Sequence, residues 1–284
     1  MPELAVSLRA LIDDGAEQLR SAGMDEPRRQ VLRIWTELGQ HAPAHVVLEG
    51  QHPVDPAEAI RFQDAVSRRA RGEPLPYVTG RTGFRHLSLV SDARAMIPRP
   101  ETEGLVELLL QRVGTGRVAD IGTGSGCIAL SLAMEGAYDE ITAVDLSAEA
   151  LALARRNRDL AAVRVSLVQA DLCAAFRPDS VDALISNPPY LTADEYSSLD
   201  RSVRDWEPAL ALVSGGDGMA ATMRLLDEGR RVVRPGGWLA LETDCSRAAA
   251  TARHASALGW SEVTVHMDLF GRERYLLAQR SYAR

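Results

Sequence analysis

Five short apolar runs, at residues 117–121, 141–144, 163–168, 181–186 and 237–242, alternate with stretches of helical spacing. This is the doubly wound α/β rhythm, in which parallel strands are covered by helices on both faces. Two further strand candidates, at 262–267 and 274–279, lie close enough to pair as an antiparallel hairpin at the sheet edge. The larger domain is therefore expected over residues 98–284.

Residues 1–75 read differently. Leu4, Leu8, Leu11, Ile12 and Leu19 fall near one helical face. Asp25-Glu26-Pro27 opens a second helix with Val31, Leu32, Trp35 and Leu38 inward. Asp55-Pro56-Ala57-Glu58 then supplies a cap, a proline at the first helical position and an acid at the third. A small helical bundle is predicted, and a packing appendage and a partner-recognition module stay equally open as its role. Gly72-Glu73-Pro74-Leu75-Pro76 breaks the helical pattern, and the β-formers that follow, Tyr77 and Val78 among them, predict a β-hairpin linker over 76–97.

The first run of the larger domain ends in Asp120-Ile121-Gly122-Thr123-Gly124-Ser125-Gly126. Glycines at these spacings let the backbone approach a ligand closely, and the helix that follows presents free N–H groups to its anionic portion. The spacing departs from the dinucleotide Gly-x-Gly-x-x-Gly, and Asp120 would repel a pyrophosphate while suiting a cationic amino group. Asp145, at the end of the second run, can accept from both hydroxyls of a ribose. Asp171, after the third, can accept from an adenine amine. Each acid alone is also an ordinary helix cap, Asp145 before Ser147-Ala148-Glu149 above all. As a set, with the glycine turn, they fit S-adenosylmethionine.

Composition narrows the partners. Formal charge is −7, from 32 basic residues against 39 acids in 284 residues, and every basic residue is arginine. That balance lacks the basic footprint of a protein that grips nucleic acid through its phosphates, so no direct nucleic-acid contact is expected. Cys127, Cys173 and Cys245 are scattered and odd in number, which predicts a reduced protein without a metal site. His41, His45 and His52 are irregularly spaced and expected in solvent. Neither a signal segment nor a membrane span is read, so a cytoplasmic monomer is expected.

Ser186-Asn187-Pro188-Pro189-Tyr190 closes the fourth run. Two prolines without N–H groups fix carbonyl acceptors at set angles, Asn187 adds a side-chain carbonyl and Tyr190 a flat face, a combination that can hold a planar amide or amine nitrogen. A plain rigid turn has the same sequence. Its place on the carboxyl edge of the sheet, beside the glycine turn, favours the nitrogen grip.

Asn-Pro-Pro-Tyr beside such a turn resembles the amino-methyltransferases, and the whole chain resembles the PrmC/HemK family of release-factor glutamine methyltransferases. The resemblance is carried by Glu73-Pro74-Leu75-Pro76-Tyr77-Val78-Thr79-Gly80, Ile97-Pro98-Arg99-Pro100-Glu101-Thr102-Glu103, Asp120 to Gly126, Asn187 to Tyr190 and Glu207-Pro208-Ala209-Leu210-Ala211-Leu212. It implies a Rossmann-like class I methyltransferase fold and methyl transfer from S-adenosylmethionine to the glutamine of the Gly-Gly-Gln motif in class I peptide chain release factors. Gly122 to Gly126, Asp145 and Leu172 would then contact the cofactor. Asn187, Pro188, Pro189 and Tyr190 would hold the glutamine, and the helical domain would engage the release factor. Arg99 could border that substrate or order the linker. Leucine at 172 stands where the family often has an aromatic, and Glu242-Thr243-Asp244-Cys245-Ser246 departs from the glycine and glutamine usual after that glutamate. An adenine amino-methyltransferase and a non-catalytic cofactor-binding adaptor are the rival readings.

Overall fold

The computed structural model describes residues 6–282, so Leu4 of the first apolar face lies outside it. The described residues fall into two compact units, one running up to Arg81 and including Arg201–Trp206, the other comprising Thr82–Asp200 and Glu207 onward.

The first unit contains α1 (Leu8–Ser21), α2 (Pro27–Gly39), α3 (His45–Glu49), α4 (Pro56–Ala70) and α5 (Leu75–Thr79). The Ser7 hydroxyl caps α1 by accepting from Ala10 N, and Asp55 caps α4 by accepting from Ala57 N and Glu58 N at 3.0 and 3.1 Å. Leu8, Leu11, Ile12, Leu19, Val31, Ile34, Trp35, Phe62 and Val66 form its core. At roughly 1.5–3 kcal/mol for each large apolar side chain buried, that contact set holds the bundle. Three expectations change here. Ile34 takes the inward place and Leu38, in the last turn of α2, is exposed. His41 and His45 stack on each other at 4.1 Å and His41 on Trp35 at 4.8 Å, half-buried instead of solvated. Tyr77 and Val78 are helical, because Pro74-Leu75-Pro76 places prolines at the start of α5, where a helix tolerates them. The predicted linker therefore contributes a helical turn and, from Arg81, a hairpin.

The second unit begins with that hairpin, β1 (Arg81–Phe84) and β2 (Leu87–Val90), then runs α6 (Pro100–Arg112), β3 (Arg117–Ile121), α7 (Cys127–Glu135), β4 (Glu140–Asp145), α8 (Ala148–Ala161), β5 (Ser166–Gln169), β6 (Val181–Ser186) and α9 (Ala193–Ser197). Helix α10 (Arg201–Arg204) groups with the first unit. Then follow α11 (Ala220–Val232), β7 (Val233–Glu242), α12 (Ala248–Ala257), β8 (Trp260–Met267) and β9 (Glu273–Arg280). Seven strands form one Rossmann-like sheet in the order β5-β4-β3-β6-β7-β9-β8, parallel from β5 to β7 and antiparallel through β9 and β8. The third run starts later than expected, at Ser166, since Ala162 leaves α8 with φ at +54° and the chain crosses to the sheet over the next residues. Val118 to Ile121 and Ala183 to Ile185 are buried on both faces, which is why, Asp120 apart, they read as apolar runs.

Strand order decides where a ligand can sit. The chain winds outward from β3 through β4 to β5, then returns to lay β6 on the other side of β3, so the turns after β3 and β6 diverge at a switch point. Register brings them level. Ile121 pairs with Ser186, and Ser186 with Leu241, which sets Gly122, Asn187 and Glu242 side by side on the carboxyl edge. The Ser186 hydroxyl donates to the Ile121 carbonyl at 2.6 Å and ties the two strand ends together.

Candidate active site

A cavity of about 240 Å³ opens on this edge, lined by Gly122 to Ser125, Asp145, Asp171, Leu172, Asn187 and Pro189, with Ala95, Thr102 and Leu210 among its other walls. The glycine turn is built by main-chain and carboxylate contacts. Gly122 N and Thr123 N both donate to the Val144 carbonyl at 2.8 and 2.9 Å, and Gly124 N donates to Asp145 Oδ2 at 2.8 Å. Gly122, Gly124 and Gly126 adopt φ of +73°, +55° and +87°, the left-handed region that a side chain would strain. Gly126 caps α7 below the wall without lining it. Asn157 of α8 staples the turn from behind. Its Nδ2 donates to the carbonyls of Ser125 and Val90, and its Oδ1 accepts from Val90 N.

Asp145 sits on the cavity wall, where its Oδ1 also accepts from Ser147 N at 2.9 Å, so it combines the capping and ligand-facing positions. Asp171 lines the wall as well, but Arg224 reaches both of its oxygens, at 3.3 and 2.9 Å. Leu172 follows it with φ at +45°. Asp120 is a correction. It is fully buried beneath the turn and does not line the cavity, because Oδ2 is drawn inward to accept from the Thr123 hydroxyl at 2.6 Å and Ala129 N at 3.1 Å. Oδ1 has no hydrogen-bond partner among the described residues. Burial, more than those two bonds can offset, pushes this carboxyl up to about 7.

In the second loop Asn187 and Pro189 reach the cavity, while Pro188 is buried and Tyr190 half-buried off its wall. Asn187 Nδ2 donates to Thr102 Oγ1 at 3.0 Å, and the Thr102 hydroxyl donates to Glu242 Oε2 at 2.7 Å. Leu191 N and the Leu212 carbonyl, 3.0 Å apart, hold the far side of the loop. Burial, with the nearby charge of Glu242, pushes the Tyr190 phenol up to about 12. Arg99 is the other correction. Off the cavity wall, its guanidinium donates to Glu207 Oε1 at 2.7 Å, and Glu207 Oε2 accepts from Ile97 N, so the pair fixes the lead-in to α6.

Comparisons with known proteins identify the family to which this cavity belongs. The family described as methyltransferase small domain matches residues 100–217, and the PrmC N-terminal domain family matches 10–80. The release factor glutamine methyltransferase of Nitratidesulfovibrio vulgaris is 37% identical, with 97% of this chain and 96% of that protein covered. That of Deinococcus radiodurans is 38% identical over 97% of this chain and 99% of that protein. The chain belongs to the release factor glutamine methyltransferase family. Among solved structures, a methyltransferase from Pyrococcus furiosus matches 69% of this chain and 90% of its own at a TM-score of 0.54 and 21% identity, a likeness of fold.

As a member of that family the chain is a methyltransferase, and S-adenosylmethionine is its methyl donor. The residues fit that group on the structure's own terms. A wall carboxylate at Asp145 keeps lone pairs beyond its two backbone bonds, and Gly122 and Gly124, both on the wall with left-handed φ, carry no side chain that would block a close approach. Sequence reasoning missed Thr102, Glu207, Glu242 and Asn157 as site builders. The first three stand within motifs that carry the family resemblance or one of its departures, which was the available signal. Asn157, mid-helix in α8, carried none.

Proposed function

We propose that this methyltransferase modifies the side-chain amide nitrogen of the glutamine in the Gly-Gly-Gln motif of class I peptide chain release factors. The observation that carries the reading is Asn187, which lines the same cavity as the glycine turn with its amide held by Thr102. Relatives named for that substrate across nearly the full chain support it. The helical unit, matched by the family's N-terminal domain, is read as the release-factor-binding part. A cytoplasmic location follows from such a substrate, and no described helix is long and apolar enough to cross a membrane.

Gly122 to Ser125, Asp145 and Leu172 would hold the cofactor, with Asp120 beneath and Asp171 beside it. S-adenosylmethionine, when bound, supplies an electrophilic methyl group on a sulfonium. An amide nitrogen is a poor nucleophile because its lone pair is delocalised, so the chain's task is to orient and polarise it. Asn187 Oδ1 and the Pro188 carbonyl accept its two hydrogens and draw density onto nitrogen, while Tyr190 packs against the amide plane. Pro189 completes the rigid loop. No side chain has to remove a proton beforehand. The Tyr190 phenol and the Cys127 thiol, both pushed up to about 12 chiefly by burial, stay protonated, and the surplus proton leaves after transfer.

The test is to incubate the purified chain and labelled S-adenosylmethionine with a class I release factor, with the variant lacking its Gly-Gly-Gln glutamine, and with nucleic acid. Label confined to the intact release factor is expected. Label on nucleic acid alone would give the adenine reading the site, and label on nothing would favour a binding adaptor. Asn187→Ala is expected to keep cofactor affinity and lose about 10²-fold or more of transfer. Wild-type turnover by it would remove the loop from the chemistry.

A further inference from the structure

Glu242, Thr102 and Asn187 come from the end of β7, the first turn of α6 and the loop after β6, yet they form one hydrogen-bonded line. A threonine hydroxyl carries a single hydrogen. With that hydrogen given to the Glu242 carboxylate, only the lone pairs of Oγ1 face Asn187. The amide must then present its NH2 to Thr102 and keep Oδ1 on the opposite prong, where no hydrogen bond from the described residues reaches it. We propose that Thr102 and Glu242 are positioning residues that lock the Asn187 amide with its oxygen free for the acceptor nitrogen, and that protonation of Glu242 releases the lock.

The proposal rests on the reading that Asn187 Oδ1 accepts from a substrate amide. A protonated Glu242 can donate to Thr102 Oγ1 itself, which frees the threonine hydrogen for Asn187 and stabilises the flipped amide. That amide offers N–H groups to a nitrogen that also carries hydrogens, and the two repel. The groups facing Glu242 are Arg274, at 3.8 Å, and Tyr275 from β9, Glu101 and Arg99 at the head of α6, Tyr190 beyond β6 and Cys127 at the start of α7. Burial dominates and pushes the carboxyl up to about 7, against the pull of Thr102 and Arg274. Transfer is therefore expected to rise with pH through about 7 as the carboxylate fills.

Three variants of the full chain test this with a release factor as acceptor. Thr102→Val, which keeps the shape and removes the hydroxyl, is expected to lower kcat about 10²-fold while cofactor affinity holds, and Thr102→Ser to restore most of the rate. Glu242→Gln cannot titrate, so the rise near pH 7 is expected to vanish from its profile. Wild-type kcat in Thr102→Val, or an unchanged acid limb in Glu242→Gln, overturns the proposal. A readout independent of turnover is the pair of Asn187 side-chain NH2 resonances, assigned by their loss in Asn187→Ala and expected to exchange slowly in the wild type. They are expected to shift and exchange faster in Thr102→Val, and unmoved resonances in a cofactor-binding variant refute the lock. If the wild type leaves release factors unlabelled, the substrate reading fails and the resonances still decide the lock. If Thr102→Val does not fold, Glu242→Gln supplies both readouts.

Discussion

Asn157→Ala should loosen the cofactor cradle and destabilise the unit that carries it. Asn157 is 1% exposed and makes three bonds, at 2.7, 3.1 and 2.9 Å, to Val90 N, the Val90 carbonyl and the Ser125 carbonyl. Alanine would strand one buried donor and two buried acceptors. With about 1–3 kcal/mol for a buried polar group left unpaired, and carbonyls at the low end because each keeps a second lone pair, the loss is roughly 3–5 kcal/mol. For a unit of this size that corresponds to a fall in Tm of roughly 6–20 °C. The Ser125 carbonyl also holds the glycine turn in its ligand-ready form, so cofactor binding would have to restore an order that the wild type carries already. Affinity is expected to fall about tenfold, or 1.4 kcal/mol by the usual conversion. Calorimetric melting checks the first effect and titration with S-adenosylmethionine the second. Asn157→Asp makes a sharper control, since it keeps the acceptor for Val90 N and turns a carboxylate toward two carbonyls, which should be worse than alanine. A variant that melts within a few degrees of wild type and binds cofactor equally would refute the staple.

Two further outcomes follow from the same geometry. Gly218 sits at φ +86°, and a Cβ there would stand 2.6 Å from the Tyr190 carbonyl oxygen and 2.8 Å from the Arg247 guanidinium. Gly218→Ala should therefore cost about 1–3 kcal/mol of strain and push on the acceptor loop, lowering kcat more than cofactor affinity, as melting and steady-state kinetics would register. For Asp120 the sign runs with its raised pKa: the folded protein keeps a proton, up to about pH 7, that the unfolded chain releases near 4, so raising pH across that window lowers stability. Asp120→Asn removes this slope, and the stability of wild type relative to the variant should fall between pH 5 and 8 by on the order of a few kcal/mol in urea titrations. A pH-independent difference would mean that Asp120 does not titrate there.

Much of this site could be read from sequence because its parts are local. The runs at 117–121 and 181–186 are largely apolar since most of β3 and β6 is buried on both faces, and the glycines at 122, 124 and 126 stand where the turn needs left-handed φ. What escaped were pairings between distant segments. Asp120 reads as a ligand carboxylate because it stands at a glycine turn, yet Thr123 and Ala129 draw it under that turn. Arg99 reads as able either to border the substrate or to order the linker because Glu207 is 108 residues away, and Asp171 as a free acceptor because Arg224 is 53 away. Such partners are decided by strand order and register, which local spacing does not contain.

The distant pairs nonetheless concentrate in segments whose sequence was already conspicuous. Of the lead-in Ile97 to Glu103, Ile97 and Arg99 are engaged by Glu207, and Thr102 bridges Asn187 to Glu242. None of these residues suggests chemistry from its neighbours, because each is half of a contact completed elsewhere. A buried carboxylate such as Glu242 is costly unless its partners arrive together, so α6 and the loop after β6 must seat at the end of β7 in one arrangement. The Asn187 amide thereby gains an orientation that neither its own loop nor the two prolines could impose. The rigidity of Asn187-Pro188-Pro189-Tyr190 sets the backbone carbonyls, and the lead-in to α6 sets the one side chain the prolines leave free to turn.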